Sequence, residues 1–238
     1  RTINSDNLVF MGGCALNCVA NSLIARESGF KRIWVMPNPG DAGSAIGAVA
    51  ALERKHLDWR HPYLGTNINR VLDIEGVVKE LIKGNVVAVA NGRAEFGPRA
   101  LGNRSLLADP RGPEIKDKVN EIKRRQKFRP FAPVILEEYA SEYFDMPRGF
   151  SDSSYMQVVG RCRNPELFPA IVHYDGTSRI QTVKPGTSGI RQLLEKWYVM
   201  TGCPMLLNTS LNIRGEPMVN DRSDADRFEK QYGVKVCS

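Results

Sequence analysis

Apolar positions in the first fifty residues come as short runs alternating with stretches of helical spacing. Leu8 to Met11 is an apolar run that ends at Gly12-Gly13, which predicts a strand entering a tight turn. Ala15 to Glu27 carries Val19, Leu23 and Ile24 at helical spacing, with Gly29 as the predicted C-terminal stop. Arg32 to Met36 predicts a second strand, closed by Pro37-Asn38-Pro39-Gly40, and Asp41 opens a helix over Ala42 to Leu52. That order of strand, helix, strand, helix predicts an α/β layer with parallel or mixed strands.

From Glu53 to about Asn69 no period holds, which predicts a linker. A second α/β unit follows, with a helix over Ile74 to Lys83, a stop at Gly84-Asn85 and a buried strand over Val86 to Ala90. After a glycine- and arginine-rich loop, Glu114 to Arg124 reads as helix and Ala132 to Leu136 as strand. Further strands are predicted at Met156 to Gly160, Ile180 to Val183 and Met205 to Leu207, with a helix over Ile190 to Thr201.

At 238 residues the chain can form one large domain or two small ones, and its 42% hydrophobic and 25% charged content is that of a globular protein. No apolar run approaches the roughly 20 residues that span a bilayer. The chain opens with Arg1 rather than Met and has no basic start followed by an apolar stretch, so the expectation is a piece of a longer cytoplasmic protein. Five cysteines, an odd number without zinc-site spacing, agree with reduced thiols. Net charge is +7, which suits an anionic partner, and the excess is concentrated between Arg93 and Arg129.

Within that stretch the run from Asn91 to Ser105 sets Arg93, Arg99 and Arg104 among three glycines and a proline, with Phe96 and Leu101 as apolar anchors. Guanidinium groups match phosphate or carboxylate oxygens in pairs, and Glu95 is placed to hold one of the arginines. Phe128-Arg129-Pro130-Phe131 puts a further charge in an apolar setting, where a bound anion would be its partner. Arg179 follows His173 in a stretch with glycine and hydroxyls, and Arg214 follows Asn208, Ser210 and Asn212. These amides and hydroxyls are candidates for an amide-like group or a base edge. Near the start, Gly12, Gly13 and Asn17 form a turn before a helix, where free N–H groups suit an anion or nucleoside. From spacing alone Asp41 reads as a helix cap.

The runs GRAEFGPRALGNRS, FRPFAP, HYDGTSRIQTV and NTSLNIRGEP, in that order, resemble the C-terminal domain of the carbamoyltransferases that decorate nodulation factors and antibiotics. GGCALN and GDAGSAIGA resemble the end of their actin-type ATPase-like domain. The resemblance implies an α/β fold with an actin-type segment at 1–54, a linker at 55–73 and a YrdC-like twisted-sheet domain at 74–238. It implies an ATP-dependent enzyme that forms carbamoyl adenylate from carbamoyl phosphate and ATP with Mg, then passes the carbamoyl group to a hydroxyl-bearing acceptor. Arg99, Arg129, Arg179 and Arg214 would act on the donor, with Arg93, Arg104, His173, Asn208, Ser210 and Asn212 binding substrate and Gly12, Gly13 and Asn17 binding nucleotide. Asp41 would ligate iron or another divalent metal. The family's paired histidine ligands have no counterpart in His56, His61 or His173, so that site is expected to be completed by the N-terminal part of the same protein. Two other readings compete: a threonylcarbamoyl-AMP-type enzyme, and a basic nucleic-acid-binding module, for which no recognition-helix or zinc-finger pattern is present.

Overall fold

The computed structural model describes residues 4–150, 152–187 and 189–238. It begins with two parallel strands, β1 (Asn7–Phe10) and β2 (Arg32–Val35), in register Asn7 to Arg32 through Phe10 to Val35. The helix between them, α1 (Cys18–Glu27), starts three residues later than its apolar spacing predicts. Asn17 is the reason, because its side-chain oxygen accepts from the N–H groups of Val19 and Ala20, both at 3.1 Å, and so caps the helix. The next helix, α2 (Asp41–Glu53), is capped by Gly40, so Asp41 is its first residue and not its cap. Gly43 is required there: a Cβ would lie 1.7 Å from the Asn38 carbonyl oxygen.

This segment is fastened to the later chain by buried polar contacts as well as apolar ones. Ala15, Ala25, Ile33 and Val35 share a small core with Phe150 and Val158. Asn21 Nδ2 donates to the carbonyls of Ala15 and Gln157 at 2.9 and 2.8 Å. Ser22 Oγ donates to the Val159 carbonyl at 3.0 Å and accepts from its N–H at 2.9 Å. Groups buried this way fix one relative placement, since shifting them would leave several hydrogen bonds unmade.

The rest of the chain runs β3 (Asn67–Ile68), α3 (Ile74–Ile82), β4 (Val87–Ala90), β5 (Gly92–Arg93), β6 (Arg104–Ala108), α4 (Ile115–Ile122) and β7 (Ala132–Leu136). Then follow α5 (Ala140–Tyr143), β8 (Phe144–Asp145), β9 (Val159–Cys162), β10 (Thr177–Arg179), β11 (Gln181–Val183), α6 (Ile190–Thr201), β12 (Met205–Ser210), α7 (Arg222–Tyr232) and β13 (Val236–Cys237). Six strands form one mixed sheet in the order β11-β7-β12-β6-β4-β13, with β7–β11 and β4–β13 parallel and the other pairs antiparallel. Helices α3, α4 and α6 cover one face, where Val77, Leu81, Val119, Leu193 and Trp197 pack on Val89, Leu107, Val134 and Leu207. Each such side chain contributes about 1.5–3 kcal/mol on burial. On the other face α7 brings Phe228 against Leu106 and Ala88. The α/β class expected from the pattern is the class found.

Three elements differ from expectation. Arg104–Ala108, whose first two residues were read as the end of the arginine loop and whose others were given no element, is an interior strand of the sheet, with Leu106 and Leu107 fully buried between β4 and β12. Helix α7 was not predicted because it is almost wholly polar and buries Ala225 and Phe228 but little else; its start is fixed by Asp221, whose carboxylate accepts from the Asp224 N–H at 3.0 Å. The segment read as a linker carries β3, which pairs with β5 beside the arginine loop.

Candidate anion-binding site

The loop from Glu95 to Arg104 is built around a buried carboxylate. Glu95 Oε1 accepts from the backbone N–H groups of Leu101, Asn103 and Arg104 at 2.7, 2.9 and 3.1 Å. Burial pushes its pKa up while those N–H groups pull it down. Glu95 therefore organises loop backbone, whereas the sequence predicted that it would hold an arginine side chain. Gly97, at φ 141, lies against the Pro37 carbonyl, where a Cβ would approach to 2.6 Å. Replacing Glu95 by alanine leaves three buried N–H groups unpaired; the expected loss in a urea titration is about 3 kcal/mol or more.

This loop delivers Arg99 to a group of cations drawn from four places in the chain. Arg99, half-buried, donates from Nη2 to the Leu16 carbonyl at 3.2 Å, and burial lowers its pKa. Arg179, at the end of β10, has an Nε with no partner, and its pKa falls to about 10 through burial and the nearby Arg99. Arg125 follows α4, stacks 4.3 Å over the Phe131 ring and donates to Asn120 Oδ1 at 2.7 Å; burial and then Arg129 bring it to about 10. Lys123, at the C-terminal end of α4, is 4% exposed. Its Nζ donates to the Ser210 carbonyl at 2.6 Å, Ser210 Oγ at 3.0 Å and Asn212 Oδ1 at 2.7 Å. Burial, with a smaller push from Arg125, lowers Lys123 to about 7.

Lys123, Arg125, Arg129, Ser210, Asn212 and Arg214 line one open cleft of about 250 Å³. Arg129 and Arg214 are exposed on its rim, so Arg129 does not occupy the apolar setting its neighbours suggested. Among the described residues Arg99, Lys123, Arg125, Arg129, Arg179 and Arg214 form no ion pair, whereas nearby Arg111 and Lys127 pair with Asp109 at 2.7 Å and Glu121 at 2.8 Å. Cations collected out of water without carboxylates destabilise the fold and are repaid by an anion.

Several predicted residues lie elsewhere or have other work. Arg104 is fully buried, and its guanidinium donates to the carbonyls of Thr66, Asn91, Gly92, Asn103 and Asn220, which makes it a strut between segments rather than a ligand for substrate. Arg93 is exposed and donates to the Leu64 carbonyl at 3.0 Å, away from the cluster. His173 sits 3.1 Å from Thr177 Oγ1 in a tight turn; burial lowers its pKa, opposed by Asp175, and Arg179 adds to the lowering. Gly12, at φ 96, donates its N–H to the Pro39 carbonyl at 2.7 Å, and Gly13 lies against Gly40. Asn17 spends its side-chain oxygen on the helix cap. Asp41 is exposed, and no group of three or more His, Cys, Asp or Glu side chains among the described residues could hold a metal ion. These residues alone do not fit a divalent-metal centre. No helix among them is long and apolar enough to cross a membrane.

Lys123 and Arg125 line the cleft but were not singled out from the sequence, where they count only in the charge excess between Arg93 and Arg129. A signal was available: Ile115, Val119 and Lys123 recur every four residues, which places Lys123 on the stripe that buries Ile115 and Val119.

Residues 78–237 match the family model for the carbamoyltransferase C-terminus, and residues 1–50 match that for the carbamoyltransferase N-terminus. The chain belongs to the carbamoyltransferase family. It is 39% identical to nodulation protein NolO of Bradyrhizobium diazoefficiens over 94% of its own length. It is 38% identical to the 3'-hydroxymethylcephem-O-carbamoyltransferase of Amycolatopsis lactamdurans over 95%. The chain spans 46% of the length of each of those relatives. In fold it is similar to full-length HypF, solved in a phosphate- and nucleotide-bound form, with a TM-score of 0.50 and 20% identity over 70% of this chain and 21% of HypF.

Proposed function

We propose that the cation cluster binds carbamoyl phosphate and, with ATP, makes carbamoyl adenylate for transfer to an acceptor hydroxyl. The observation that carries this reading is the convergence of Arg99, Lys123, Arg125 and Arg179 with no carboxylate among them, in a chain of this family. Water releases phosphate from carbamoyl phosphate, leaving carbamate. A carbamate oxygen attacks the α-phosphorus of ATP, and pyrophosphate leaves. The acceptor oxygen then attacks the carbamoyl carbon, its proton is lost and AMP departs. The guanidinium groups stabilise charge on the transferring oxygens before and during each displacement. HypF, the structural relative, has been solved with phosphate and nucleotide bound, which supports a phosphate role for this fold. The acceptor step would be carried out with the preceding part of the protein, given that the chain spans under half of its relatives.

Exchange of labelled pyrophosphate into ATP by the full-length protein tests the reading. Exchange is expected with carbamoyl phosphate and not with threonine plus bicarbonate; the reverse dependence, or none, would contradict it.

A further inference from the structure

One buried amide in the cluster is held in a single orientation and left with an idle acceptor. Asn208 lies on β12, two residues before Ser210, so both side chains face the same side of the sheet. It is 1% exposed. Its Nδ2 donates to the Ala100 carbonyl at 3.1 Å and to Gln181 Oε1 at 2.7 Å, and Gln181 Nε2 donates to the Leu101 carbonyl at 3.0 Å. Because each amide nitrogen faces an acceptor that cannot itself donate, neither amide can be turned over without losing these bonds. Asn208 Oδ1 is then fixed as well, and it is buried with no partner. Every anchor of this chain adjoins a cation of the site. Ala100 follows Arg99, Gln181 comes two residues after Arg179, and Ser210 accepts from Lys123.

We propose that Asn208 Oδ1 is the specificity-determining acceptor that reads the N–H2 of the carbamoyl group. The inference rests on the carbamoyl-phosphate reading above. In carbamoyl phosphate the amide nitrogen is joined to the carbon next to the ester oxygen, so with the phosphate on the cations that nitrogen would reach towards the strand that carries both Ser210 of the cleft and Asn208. An idle buried acceptor costs free energy, and a ligand that supplies a donor recovers it. Acetyl phosphate has the same shape but places a methyl group there, which leaves the acceptor idle. A site built to meet an N–H rejects the analogue that lacks it.

The test measures binding of carbamoyl phosphate, acetyl phosphate and inorganic phosphate to the full-length protein and its Asn208→Ala variant by calorimetry. The wild type is expected to prefer carbamoyl over acetyl phosphate by about 10- to 100-fold. In Asn208→Ala that preference falls to near parity while inorganic phosphate binds as before, which also reports that the site is intact. An unchanged preference in Asn208→Ala, or equal weakening of all three anions, overturns the assignment and leaves the donor reading standing. A wild type that binds inorganic phosphate but not carbamoyl phosphate overturns both.

Discussion

Replacing Arg179 with alanine is expected to weaken carbamoyl phosphate binding by roughly 100-fold while leaving the protein as stable as before, or more so. The loss follows from the two or so charge-assisted hydrogen bonds a guanidinium fork makes to phosphate, each about 1.5–3 kcal/mol. The retained stability follows from the setting: Arg179 is half-buried beside Arg99 and Arg125, has no carboxylate partner, and its Nε is buried without a hydrogen bond. Removing it relieves repulsion and desolvation at once. Binding calorimetry and thermal melts on the same preparation check both halves. Arg104→Ala gives the opposite signature, because it takes donors from five backbone carbonyls around a fully buried guanidinium and its effect is on folding. A site that trades stability for an anion is thereby separated from a strut that merely looks similar in sequence.

Lys123 makes the site pH-sensitive in a stated direction. Burial and Arg125 hold it at about 7, against an ordinary 10.5. Between those values the unfolded chain carries a proton on this amine that the folded, ligand-free protein has lost. Stability therefore rises with pH in that window and is flat with respect to this group below it, where both states are protonated. Anion binding runs the other way. A bound phosphate restores the charge on Lys123, so binding takes up a proton and affinity falls by up to about tenfold per pH unit above pH 7. Calorimetry in buffers of different ionisation enthalpy measures that uptake, and Lys123→Met abolishes it.

The strongly patterned parts of the fold were legible in the sequence. Helix α6 matches the predicted Ile190 to Thr201 because its apolar spacing and the Gly202 stop act together, and β7 matches Ala132 to Leu136 as an unbroken buried run. Elements whose identity comes from tertiary contact were not. Leu106 and Leu107 are too short an apolar run to mark a strand by themselves, and become one only with β4 and β12 on either side. Glycines and a proline among arginines mark the loop that carries Arg99, but residue type could not distinguish Arg99 from Arg104. Arg99 lies beside Arg179 with one bond to the Leu16 carbonyl, whereas Arg104, at the start of β6, spends its guanidinium on five backbone carbonyls. Asn17 and Glu95 show the same limit, since local capping and loop closure claim side chains that sequence offers equally well to a ligand.

Diffraction from crystals of the full-length protein soaked with carbamoyl phosphate is the most direct measurement. The expected result is a phosphoryl group within hydrogen-bond distance of Arg99, Arg125, Arg179 and Lys123, with those side chains otherwise placed as described here. Donor density at another site, with these guanidinium groups turned to solvent or paired with carboxylates, would contradict the account.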